Sequence, residues 1–168
     1  PAAIDIATRF AGTARSYFIE VMRRPDMGLQ ARCLYALALS ETLLTSVLDA
    51  TAGDAERSAE VTLRLACVTG ALMRDWDRAW ELVAGVEARF GTSASLESRV
   101  AALRLMQKAA THSPHSISPR ELAAAAKEHI DLLLLACATR DRCARWIYLR
   151  ALAVLGDKRA LDVYVEAL

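Results

Sequence analysis

The stretch RDRCARWIYLR, residues 140–150, gathers four arginines and a tryptophan into eleven positions. On a helix, Arg142, Arg145 and Trp146 fall on neighbouring faces, with Arg140 before them and Arg150 beyond. Guanidinium planes beside an indole suit two kinds of ligand: phosphates with stacked bases, or the acidic side chains and carboxyl terminus of a peptide. A plainer arrangement turns Trp146 into the core with Ile147 and the run from Leu149 to Leu155, the arginines covering its rim. Trp76 and Trp80 are a second pair of large anchors, four residues apart. Such a pair commonly forms a core ridge; an exposed ring would instead be the natural hot spot of an interface.

Other reactive side chains fall short of recognisable chemistry. His112 and His115 have a spacing that can ligate zinc, with Cys137 and Cys143 downstream. Pro114 stiffens the first pair, however, and no CxxC pair exists, so the pattern misses structural zinc layouts, and no metal is expected. Glu128, His129 and Asp131 form the one local titratable cluster. Position 126 is Ala, which removes the Glu-x-x-His pairing of a di-metal bundle. GxSxG, GxGxxG and GxxxxGK[ST] are all absent, so neither a nucleophile elbow nor a phosphate cradle is encoded. No cofactor and no enzymatic activity are expected.

Whole-chain totals narrow the partner classes. The 168 residues carry 21 basic and 20 acidic groups, so no net field would steer the molecule to nucleic acid or an anionic membrane. Residues 85–168 are mildly positive. Charge-free runs such as Cys33 to Ser40 and Leu65 to Met73 are far short of the roughly 20 apolar residues that span a bilayer. Cys33, Cys67, Cys137 and Cys143 sit inside apolar runs and read as small buried hydrophobes of a reducing compartment, which points to the cytosol. A chain that opens without Met and stops inside a helical pattern is expected to be a piece of a longer protein.

The elements that must position these residues are helical. No stretch alternates as a half-buried strand does, and Asn, with its hairpin-turn signal, is absent. Start and stop signals predict about eight helices in a single domain over residues 1–168. The first two are Ala3–Arg24, ended by Pro25, and Met27–Ala50, apolar around most of its circumference. A third starts from an Asp54 cap and runs to about Arg74. A fourth, in DWDRAWELVAGVEARFG, closes at Gly91. Ser95–Ala110 is the fifth. After THSPHSISPRE, the sixth begins on a Ser118 cap, a Pro119 first position and Glu121, and continues through AAAAKEHIDLLLLACA. Arg142–Leu155 and Lys158–Leu168 form a closing hairpin.

The last hairpin carries a resemblance. In GDKRALDVYVEAL, Ala160, Tyr164 and Ala167 resemble the small, large and small positions on the second helix of a tetratricopeptide repeat. RDWDRAWELVAGVEARFG is similar, with Ala79, Val83 and Val86. The likeness covers about a third of the chain. Ala79 and Ala160 lie 81 residues apart, which is not a multiple of the roughly 34-residue repeat, and the paired Trp and Gly of the family's first helix have no counterpart. The resemblance implies a protein-interaction module without transferring any peptide-binding residue.

Together these readings predict an all-α chain of antiparallel helical hairpins, arranged as a TPR-like α-solenoid or a compact helical bundle. The expected function is non-enzymatic: a scaffold, adaptor or chaperone subunit that binds another protein through a groove between hairpins. Arg142, Arg145, Trp146 and Arg150 are the first-choice contacts, and Trp76 and Trp80 the second. The alternative is a helical nucleic-acid-binding module using the basic C-terminal hairpin. A homodimer through Leu161, Val165 and Leu168 is a further expected contact.

Overall fold

A computed structural model describes residues 20–21, 30, 33–35, 55–111 and 116–167. Seven helices have their bounds among the described residues: α1 (Ala55–Met73), α2 (Trp76–Phe90), α3 (Ala94–Thr111), α4 (Pro119–Ala126), α5 (Ile130–Ala136), α6 (Arg142–Leu155) and α7 (Ala160–Ala167). All regular structure there is helical, as the sequence predicts. Of the helices expected over 3–24 and 27–50 only residues 20–21, 30 and 33–35 are described, and these are helical; the rest of both, the Asp54 cap, His112, His115 and Leu168 lie outside the described residues.

Local chemistry sets most of the boundaries. Asp75 caps α2, its side chain accepting from Arg78 N at 3.0 Å. That helix closes on Gly91, whose φ of 73° suits a residue without Cβ and whose N–H donates to Glu87 O. Ser118 accepts from Glu121 N at 3.1 Å, and Pro119 occupies the first turn of α4. Asp141 caps α6 twice over, accepting from Cys143 N at 3.0 Å and Ala144 N at 3.1 Å. Gly156, left-handed at φ 68°, ends that helix.

One predicted element is broken. The helix read as continuous from Pro119 to residue 138 is interrupted at Lys127–His129, where His129 takes a non-helical φ of −129° and ψ of 42°. The chain tightens there, with His129 N donating to Ala126 O and Leu132 N to His129 O. The reason lies in burial. Leu132, Leu133, Leu134, Leu135 and Ala136 are all buried, so past the half-buried Ile130 and Asp131 α5 has no solvent face and must run through the middle of the molecule, whereas α4 keeps an exposed face. A bend between them lets both requirements be met.

Packing follows from these faces. α1 and α2 form a tight hairpin, and α1 also packs on α3 and α5. α6 lies across α4 and α5 and touches α3, while α7 folds back on α6. One apolar core joins them, running from Val61 through Leu65, Leu103, Met106, Leu132 and Leu152 to Ala160 and taking in Val21 and Leu34. Each fully buried leucine contributes on the order of 2 kcal/mol. Direct contact of α1 with α5 ties the first described hairpin to an element three helices on, a contact that a strictly neighbour-to-neighbour stack does not supply. Gly70 permits the closest approach: a Cβ there would stand 2.5 Å from two ring carbons of Trp76.

Candidate functional site

The expected contact residues divide between two environments. α6 is amphipathic in a simple way. Ala144, Ile147, Tyr148, Leu149, Ala151 and Leu152 are buried, and the Tyr148 hydroxyl donates to Met106 O at 3.2 Å, which locks the helix onto α3. Burial pushes the Tyr148 phenol well above its usual range, so it stays a neutral donor. On the opposite side Arg142, Trp146, Arg150 and Val154 recur every fourth residue, and all four are exposed. Trp146 is 57% exposed and Val154 54%. The core-facing arrangement of Trp146 is therefore overturned: the inner face is filled by Ile147, Tyr148 and Leu149, and the indole stands outside it.

Arg145 belongs to the flank of this stripe. It is half-buried, and its Nε is enclosed without a hydrogen-bond partner. Its charge acts inward on Cys137, whose thiol burial raises to about 12 and Arg145 draws down. Cys143, expected to be buried, is exposed on the first turn of α6; Cys33, Cys67 and Cys137 are buried as expected. The four-residue period of the exposed stripe does not include position 143, but that position precedes Ala144, which starts the buried face.

The tryptophans of α2 are packing residues. Trp76 is buried against Gly70, and so offers no docking surface. Trp80 is partly buried, donates from Nε1 to Gln107 Oε1 at 2.9 Å, and has the Arg104 guanidinium 5.9 Å from its ring centroid. Both faces of its polar chemistry are occupied by α3. The second-choice contacts therefore join α2 to α1 and α3, apart from the exposed stripe of α6.

A polar cluster that the sequence did not disclose lies between α1, α3 and the start of α5. Asp131 Oδ2 is 3.3 Å from Arg64 Nε and 3.9 Å from Arg99 Nη1. Arg64 also holds Glu60 at 2.6 Å and donates to Gln30 Oε1 at 3.1 Å. Asp131 is 17% exposed and Glu60 41%, so the inner pair is the one whose loss would strand charge away from water. Beside it, a cleft of about 410 Å³ opens between Glu60, Leu63, Val86, Phe90, Leu96 and Arg99. The cluster of residues local in sequence, Glu128, His129 and Asp131, is thus divided: Asp131 faces the arginines, while Glu128 is exposed.

His129 makes the one contact here with a catalytic look. Its Nε2 lies 2.9 Å from Ser98 Oγ, within the reach of a nucleophile and its base. The third member is missing, because Nδ1 is buried without a hydrogen-bond partner and the Asp131 carboxylate is held by arginines. Burial, and then the nearby Arg99 charge, lower the His129 pKa, which weakens it as a base. The pair instead cross-links α3 to the α4–α5 bend. Among the described residues no group of three or more His, Cys, Asp or Glu side chains could hold a metal ion, and no helix is long and apolar enough to cross a membrane.

Compared with family models, curated proteins and solved structures, the chain gives no match.

Proposed function

We propose that the chain is a non-enzymatic protein-interaction module, a scaffold, adaptor or chaperone subunit of the cytoplasm, that docks another protein on the outer stripe of α6. The observation that carries this reading is Trp146, a large aromatic 57% exposed in the second turn of a helix whose inner face is fully engaged. Tryptophan and arginine dominate the energetic centres of interfaces, and Arg142 and Arg150 flank the indole one turn away on either side. The contact is a helix face rather than a groove between hairpins. The cleft between α1, α2 and α3 is rimmed by Glu56, Glu60 and Arg99 and has no exposed aromatic anchor comparable to Trp146.

The test compares the 168-residue chain with its Trp146→Ala variant as baits in nuclease-treated lysate, after circular dichroism has shown equal helicity and melting. Truncating an exposed side chain changes stability by about 0.5 kcal/mol or less, so folding does not confound the result. A stoichiometric protein that is retained by the parent and lost by the variant is the expected outcome. Retention by both baits places the site elsewhere. Recovery of nucleic acid alone, before nuclease, moves the function to the alternative class.

A further inference from the structure

Resting on that docking reading, we infer that the occupant of the α6 stripe is an acidic amphipathic segment of another protein, with two carboxylates about 12 Å apart and a large apolar side chain between them. The spacing comes from the helix itself. Arg142 and Arg150 are eight residues apart, which at 1.5 Å per residue is about 12 Å, and Trp146 stands midway.

Its charge environment sets the stripe apart from most of the other described arginines. Arg64, Arg74, Arg78, Arg99 and Arg159 are all held by carboxylates. Arg89 and Arg104 lie over aromatic rings. α6 contains Arg142, Arg145 and Arg150 and not one Asp or Glu. Asp141, just before it, is committed to capping the helix and to Arg74 at 2.6 Å. Two exposed guanidinium groups therefore flank an exposed indole with no neutralising partner on their own helix. Isolated surface ion pairs are worth little, but pairs at the rim of a desolvated aromatic anchor set register and exclude wrong partners.

The stripe favours an acidic protein segment over a nucleic acid strand. A phosphate backbone gains affinity from many cations in succession, whereas this stripe passes from Arg150 to the exposed Val154, and the whole chain carries a formal charge of only +1. An apolar residue at the end of the stripe matches a further aliphatic side chain of an amphipathic helix. On such a helix Glu or Asp at positions i and i+7 or i+8, with Leu, Phe or Met at i+4, meets Arg142, Trp146 and Arg150 together.

A phage-displayed library of random 16-residue peptides, panned on the intact chain, tests the chemistry separately from the docking reading. Expected are acidic peptides with that spacing, whose synthetic versions bind at least tenfold more weakly to Trp146→Ala and to Arg142→Glu/Arg150→Glu. Lysine-for-glutamate versions should recover binding to the charge-reversed variant. Peptides that depend on Trp146 but carry no acidic pattern would overturn the inference and leave the docking site standing. Absence of any Trp146-dependent peptide would overturn both. A labelled 20-nucleotide single strand whose binding depends on Trp146 and falls steeply between 50 and 200 mM salt would also overturn both, in favour of nucleic acid.

Discussion

His129 shows how much of a side chain's role is decided by residues far from it in sequence. Beside Glu128 and Asp131 it reads as part of a titratable cluster, yet its actual partner is Ser98, and its electrostatic neighbours are Arg99, Asp131 and Glu128. The Glu60–Arg64–Arg99–Asp131 cluster was illegible for the same reason: its members come from three helices, and only Glu60 and Arg64 share a local spacing. Arg142, Trp146 and Arg150 were legible as candidates from their places on one helix, but the outward turn of Trp146 was not, because it depends on Ile147, Tyr148 and Leu149 filling the inner face. Burial and Arg99 keep the folded-state pKa of His129 below its ordinary value of about 6.5. The unfolded chain then takes up the proton first, so this contribution is complete above about pH 6.5 and is lost as pH falls toward the folded value. His129→Gln, which can still bond Ser98 but cannot titrate, is expected to flatten the decline in urea-unfolding stability between pH 7 and pH 5. The effect is at most about 1.4 kcal/mol per pH unit. An unchanged pH slope in the variant would refute this assignment.

Among the elements, α6 was read with the bounds it has, Arg142–Leu155, since an aspartate before it and a glycine after it mark both ends. The bend at Lys127–His129 was missed because no proline or glycine announces it; the cause is the burial of α5 from Leu132 to Ala136, a property of the assembled core. Gly70 was equally silent. In a helix interior glycine costs about 1 kcal/mol relative to alanine, and only the Trp76 ring, 2.5 Å from where a Cβ would stand, explains it. Gly70→Ala is therefore expected to destabilise the chain by about 1–2 kcal/mol, crowding against the indole outweighing the helix-propensity gain. In a Trp76→Leu background, with the ring gone, the same change should stabilise by up to about 1 kcal/mol. Urea midpoints at constant slope supply the double-mutant cycle, and equal effects in both backgrounds would show that Gly70 and Trp76 are not coupled.

Across the whole molecule, stability should be graded outward from α5. That helix is buried from Leu132 to Ala136 and packs against α1 and α6, whereas α7 rests on α6 through Ala160, Val163 and Tyr164, with the Tyr164 hydroxyl donating to Leu149 O at 2.6 Å. Its other face presents Leu161 and Val165 to solvent. Elements with few buried contacts open locally at a fraction of the global cost. Amide hydrogen exchange at low protein concentration is expected to show α7 roughly a hundredfold less protected than α1 and α5, with α6 near the core value because its inner face is part of the core. That ordering matters for docking, since a stripe on α6 would meet its partner as a rigid surface and lose little entropy on binding. If α7 proves as protected as α5 only when the protein is concentrated, Leu161 and Val165 are covered by a second copy of the chain. Protection of α7 that is high at every concentration would instead contradict the graded core itself.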